Sequence, residues 1–311
     1  MTTVTTGVYK HTFNVSNDIP SFSIEEVVGN PEGEDREVIR SFGVMFDSME
    51  LGATDGIASL NVNAMAHGQF QKARLESNVT AGTGASVVVR SSESEGLLAG
   101  DILEIVDVTN TTVENITATS VSGGTITADV AANYDAADEV KVQLRPQTAA
   151  FDCKDTVQTF SNFAFQFGAD LTAAASAVEE NVENWTLTYN NNLEMRYGSK
   201  RRSPSVIAPK GAGATLKYTK YFENTVDRDR YLDQTRQACI LTGDLEMKIG
   251  ATAYNYKMEV RMNDLRFTAR TRNVGNDELI VAEFTATVFY NCTDGKAIEI
   301  NLWNDLANYD A

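Results

Sequence analysis

Two stretches on either side of a turn constrain this chain most. In "SFGVMFDSM", Phe42, Val44 and Phe46 fall on one side of a period-2 pattern, with Ser41, Gly43, Met45 and Asp47 on the other. After "GATDG" the segment "IASLNVNAMAHG" alternates again, Ala58, Leu60, Val62 and Ala64 against Ser59, Asn61 and Asn63. Successive side chains of a strand point to opposite faces, so the pattern specifies a β-hairpin with one apolar face and one small, polar, nearly uncharged face. A strand face open to solvent ordinarily collects Lys and Glu; here only Asp47 and His67 break the neutral pattern.

Strand signals dominate the remainder, at "WTLTYNN", "ATLKYTKYF", "LEMKIG", "YNYKMEVRM", "LRFTART", "IVAEFTATVFY" and "AIEINLWN". The fold class expected is therefore mainly β. One helix is expected over "TVDRDRYLDQTRQACI", with Asn224 as its cap, Asp227 in the first turn and Gly243 suited to its exit. "ADLTAAASAVEENVEN" reads equally as helix or loop, since its Ala residues favour helix and its Thr, Ser and Asn residues do not. Between about Ser77 and Arg145 the composition turns to Thr, Val, Gly and Ser, with no Trp, Phe, Met or Cys. Short strands separated by Gly-containing turns mark a small all-β module at 77–145, inserted into a discontinuous host domain of 1–76 and 146–311.

The search for chemistry yields little. His11 and His67 stand in unrelated contexts, and no zinc, phosphate-loop or nucleophile-elbow motif occurs. The acidic runs lack the alternating spacing of a calcium loop. No enzyme, cofactor or metal is expected. The 3 cysteines (Cys153, Cys239 and Cys292) are widely spaced and read as buried apolar thiols in a reducing compartment. No window reaches the ~18–20 continuous apolar residues of a membrane span, and "MTTVTTGVYKHTF" has neither a basic nor an apolar signal region, so a non-secreted protein is expected. The formal charge of −17 argues against a general nucleic-acid surface, which normally shows a basic stripe. It does not argue against a wall beside DNA, which should be neutral or acidic.

Function must then come from assembly or binding. "GNPEGEDREV" carries Glu32, Glu34, Asp35 and Glu37; "RYGSKRRS" carries Arg196, Lys200, Arg201 and Arg202. In a single domain each would be a solvated loop. In a repeated assembly each can meet its opposite on a neighbour, which makes these eight residues candidate inter-subunit contacts.

The order of several segments resembles the tail tube (major tail) proteins of long-tailed bacteriophages. The resemblance runs from "HTFNVSNDIPSFSIEEVVG" through the hairpin, then "FDCKDTVQTFSNFAFQFG" and "NWTLTYNNNLEMRYGSKRRSPSVIAPKGAGATLKYTKYF". "VDRDRYLDQTRQ", "KMEVRMNDLRF" and "EFTATVFYN…AIEINLWN" complete it; the 77–145 module lies outside it. It implies a twisted β-sandwich or half-barrel with one flanking α-helix, forming hexameric rings that stack into a tube for genomic DNA delivery. It also implies a place in the virion tail after assembly in the host cytoplasm, and contacts with tape measure, terminator and baseplate proteins. Duplex DNA would pass without sequence-specific binding, and no membrane is involved. Ser41, Asp47, Ser59, Asn61 and Asn63 are then expected to face the lumen, because cations would hold the phosphates while small neutral groups let DNA slide. The inserted module is expected on the outer surface. A terminator or baseplate ring of the same fold, or a β-rich surface adhesin suggested by the Thr- and Val-rich insertion, are the alternatives.

Overall fold

The computed structural model describes residues 2–14, 19–28, 37–54, 57–145, 162–199, 204–221, 225–273 and 281–307. The first strands are β1 (Thr2–Thr5), β2 (Val8–Asn14), β3 (Phe22–Val28), β4 (Glu37–Thr54), β5 (Ser59–Met65) and β6 (Gly68–Phe70). Next come β7 (Lys72–Arg74), β8 (Gly82–Val88), β9 (Ile102–Asp107), β10 (Thr112–Ser122), β11 (Thr125–Val130) and β12 (Val140–Leu144). The last part holds β13 (Phe163–Gly168), α1 (Leu171–Ala175), β14 (Asn184–Asn190), β15 (Leu193–Arg196), β16 (Val206–Pro209) and β17 (Gly213–Tyr221). It ends with α2 (Val226–Leu232), β18 (Gln237–Lys248), β19 (Asn255–Asn273), β20 (Val281–Val288) and β21 (Ile298–Asn304). The fold is mainly β, as expected, with two short helices.

A 13-stranded sheet follows the order β1-β2-β21-β19-β20-β17-β14-β4-β3; β18 and β13 branch from β19, while β5 and β6 lie on β4. All of its pairings are antiparallel, and its path does not close into a barrel. The bend comes at β19, whose first half pairs with β18 and β21 and whose second half pairs with β20. The two parts of the sheet face each other across a core of aromatic rings. Phe165 and Phe167, on the same side of β13, approach Trp185 of β14 (5.7 Å between centroids) and Tyr218 of β17 (5.6 Å), although β13 pairs with neither strand. Each such pair contributes about 0.5–1.5 kcal/mol beyond the burial of its area.

The small sheet has the order β7-β12-β9-β10-β11-β8 and its own buried cluster, centred on Leu103, Ile105, Ile126, Val140 and Val142. A bridge between Leu75 and Val89 brings its two ends together. This sheet begins at Lys72, ahead of the boundary expected at 77. Val38 and Phe70, from β4 and β6, belong to its core and not to the aromatic one.

Three local expectations are corrected. The helix ends at Leu232, and Gln237–Lys248 is a strand. The run "ACIL" is buried on both of its faces, and tertiary packing of that kind overrides helix propensity. Gly243 is no helix exit. It pairs with Phe163 and Met258 in mid-strand, where an added Cβ would stand 2.7 Å from the Phe163 ring. The cap position is Thr225, with no side-chain cap bond; Asn224 lies outside the described residues. Cys239 is buried as expected, but Cys292 is exposed in the turn between Asn291 and Lys296; Cys153 lies outside the described residues. In "ADLTAAASAVEENVEN" a single helical turn forms, with Asp170 accepting from the Ala173 N–H at 2.7 Å.

Glu180 ties these outer pieces to the sheet, accepting from Lys220 Nζ of β17 and Arg230 Nη1 of α2, each at 2.7 Å. Burial alone would raise its carboxyl, but the two cations hold it below its ordinary value of 4.5. A lowered folded-state value means that this contribution is complete above the unfolded value and lost as pH falls through the folded one. Chemical denaturation at descending pH should therefore show stability falling below the ordinary carboxylate range, and Glu180→Gln should be less stable at neutral pH with a shallower acid limb. An identical acid limb in the variant would remove Glu180 from this role. Phe165→Ala should cost about 3–5 kcal/mol in the same assay, by opening the aromatic core.

Candidate functional site

Cross-strand partners share a face, so the ladders can be read across the sheet in rows. One row runs Leu60–Leu51–Leu187–Leu216–Ala286–Phe267, from β5 through β4, β14, β17 and β20 to β19. Leu187, Leu216, Ala286 and Phe267 are at most 1% exposed, but Leu60 is 58% exposed and Val62 44%. The apolar face of the hairpin thus continues the core face and then runs out past the strands that cover it. Beside it an open apolar groove of about 510 Å³ is lined by Phe13, Phe22, Phe46, Leu60, Val62 and Ile300. Exposed apolar surface of this continuity marks an interaction site.

The adjacent row on the opposite face runs Asn61–Glu50–Thr188–Thr215–Thr287–Arg266. A further row runs Ser59–Gly52–Thr186–Lys217–Thr285–Ala269. The small polar face read from two strands is therefore a surface across the sheet, rich in Thr and Asn. In these two rows the charges Glu50, Lys217 and Arg266 are scattered. Sequence reasoning stopped at the hairpin and missed Glu50, Thr186, Thr188, Thr215, Thr285 and Thr287. Their signal was the alternate Thr in "WTLTYN", "ATLKYT" and "EFTATV".

Of the residues expected on the polar side, Ser59, Asn61 and Asn63 stand on β5, and Asn63 donates to Ser48 Oγ at 2.9 Å. Ser41 sits on the first half of β4, where Gln69 donates to its hydroxyl at 3.3 Å. Asp47 sits at an irregularity of the ladder. The register shifts between Phe46 and Ser48, so Asp47 occupies a bulge and Ser48 takes its place opposite Asn63. The Asp47 carboxylate instead accepts from the Leu193 N–H at 2.7 Å, and its carbonyl accepts from the Asn191 N–H at 2.7 Å. Asn191 in turn donates to the Phe46 carbonyl at 2.8 Å and accepts from the Tyr189 hydroxyl. Asn192, at φ +49°, turns the chain in a left-handed conformation that Asn tolerates.

These contacts root a two-stranded hairpin, β15–β16, at the bulge of β4. Arg196 is exposed at the end of β15, 3.6 Å from Glu194, which also meets Lys210 at 3.1 Å. The Lys210 bond and charge hold the Glu194 carboxyl below its ordinary value. Lys200, Arg201 and Arg202, which fall between β15 and β16 in the sequence, lie outside the described residues, as do Glu32, Glu34 and Asp35; Glu37 opens β4. The loops of opposite charge are thus not brought together among the described residues.

Two of the open edges lie at the ends of these rows. β5 pairs only with β4, and beyond Leu265 β19 pairs only with β20 among the described residues. An open edge offers a row of amides and carbonyls to another chain. No cluster of His, Cys, Asp and Glu that could hold a metal occurs among the described residues, and no helix there is long and apolar enough to cross a membrane.

Asp47→Ala should cost about 1–3 kcal/mol, because the Leu193 N–H loses its acceptor. Denaturation of the purified chain measures this, and hydrogen exchange should show the loss at Leu193; unchanged exchange there would mean the bond is not what holds the hairpin.

No curated protein matches the chain. The family model described as phage tail tube protein matches residues 1–288, across both the main sheet and the inserted one. The chain therefore belongs to the phage tail tube protein family, structural components of the virion tail.

Proposed function

We propose that the chain forms hexameric rings that stack into the tail tube, a conduit through which genomic DNA leaves the virion. The single observation that carries this reading is the row ending in Leu60, a core face that runs out exposed beside a strand edge left unpaired among the described residues. A free edge and an open apolar face on one strand are completed by a second copy that supplies both a ladder and a cover. Edges at opposite ends of one sheet suit a head-to-tail contact, which closes into a ring or, with translation, continues as a tube.

The polar face is then the channel wall, with Ser41, Asp47, Ser59, Asn61 and Asn63 joined by Ser48 and the threonines of the same rows. Duplex DNA carries one charge per ~1.7 Å of axis, and every Lys or Arg contact to phosphate adds salt-dependent affinity. A wall of hydroxyls and amides with few scattered charges has weak hold on a sliding duplex. Other tail proteins meet the tube at its two ends. The acidic segment at Glu32, Glu34, Asp35 and Glu37 and the basic run at Arg196, Lys200, Arg201 and Arg202 are proposed as complementary contacts between subunits.

Electron microscopy of the purified chain tests the reading, with filaments of constant diameter expected. Leu60→Asp should abolish them while leaving the monomer's melting transition in place, since Leu60 is already exposed. Asn61→Lys with Asn63→Lys should preserve tubes and slow DNA release from particles; normal release would count against the wall assignment. Reversal of Lys200, Arg201 and Arg202 to Glu should weaken assembly most at low salt. Exposed pairs contribute only about 0.2–1 kcal/mol each but recur along the polymer. Assembly indifferent to both salt and reversal would return the loop to solvent.

A further inference from the structure

The inserted module is joined to the main sheet by more than its chain crossings. Arg40, on the first half of β4, is 5% exposed. It grips Asp101 of the module with both terminal nitrogens, at 2.5 and 2.9 Å, and Glu25 of β3 through Nε at 2.9 Å and Nη2 at 2.5 Å. Its Nη1 also donates to the Gly96 carbonyl at 3.2 Å. Asp101 is held from its own side by the Leu98 N–H at 2.7 Å. One guanidinium thus spans β3, β4 and the module, in the forked geometry that only Arg provides.

Two residues along the same face, the Phe42 ring is seated between glycines. A Cβ on Gly96 would lie 2.2 Å from that ring, and one on Gly68 2.5 Å; Gly96 also has φ +90°. Val38 and Phe70 have their buried neighbours in the module's core, with Val27 of β3 packed against it. Among the described residues β3 pairs only with β4, and the same half of β4 gains only the short β6, whose Phe70 belongs to the module's core. So narrow a ladder is marginal in water without packing against it. The first half of β4 is therefore stabilised mainly by the module, yet it is continuous with the second half, which carries β5.

We propose that the module is a brace: it holds β3 and residues 37–44 of β4 in place, and through β4, which continues past its bulge at Asp47, it sets the direction of the β4–β5 arm on which assembly depends. The first half of this inference stands on the contacts alone, and the second rests on the proposed function. The module is accordingly part of the assembling subunit, whatever else its outer surface does.

Hydrogen exchange on the unassembled full-length chain, paired with electron microscopy, tests both halves. In Gly96→Ala, which displaces Phe42, amides of β3 and residues 37–44 should exchange about tenfold faster, while those of β14, β17, β8 and β11 keep their protection. Arg40→Lys keeps the charge but loses the fork; as the milder change, it should give the same local pattern if Gly96→Ala fails to fold. Both variants should form tubes more slowly than the wild type. Unchanged protection in β3 and residues 37–44 would overturn the brace. Lost protection with tube formation at the wild-type rate would overturn its coupling to assembly. A wild-type chain that forms no tubes would sink the assembly reading instead, with the exchange comparison still deciding the brace.

Discussion

Phe165 and Phe167 reach from β13 into the rings of Trp185, Tyr218 and Phe267, and the facing of the strands they cover follows from that contact. Once these rings are buried, period-2 geometry assigns the alternate residues of β14, β17 and β20 to the opposite face. The interior takes Leu187, Leu216 and Ala286, and the outside is left with Thr186, Thr188, Thr215, Thr285 and Thr287. The polar surface is thus a consequence of the aromatic core. Because the ladder carries both faces onward to β4 and β5, the same packing also dictates that Leu60 and Val62 continue the core face and stand exposed among the described residues.

One inserted residue organises the neighbourhood of that exposed edge. Without the bulge at Asp47, the two halves of β4 would present opposite faces to β5. With it, Asp47 is freed to bind the Leu193 N–H, and the hairpin bearing the basic run is rooted at the base of the β4–β5 arm. Bulges commonly re-aim a side chain in this way.

Burial of the Arg40 charge is tolerable because two carboxylates and a carbonyl receive its N–H groups. A buried ion pair is weak evidence for added stability, since desolvation offsets much of the attraction. Its fixed fork specifies geometry instead, and here it relates three pieces of chain far apart in sequence. The family match runs through both sheets, and the Arg40 fork is the contact by which this chain joins them.

By themselves, the residues of this chain determined its β class, the two-faced hairpin and the family, because alternation, turn chemistry and motif order are local properties of a sequence. Ser59, Asn61 and Asn63 could be put on one face from spacing alone. The tertiary structure decided what depends on contacts distant in the chain. It turned "QACI" from helix to strand by burying both faces, exposed Cys292 in a turn, and set Asp47 in a bulge through a register shift no single strand reveals. It also extended the polar face across the sheet, because a row exists only once strands pair. The Arg40 junction was equally hidden, since nothing in "VIRSF" records that Asp101 and Gly96 will be folded against it.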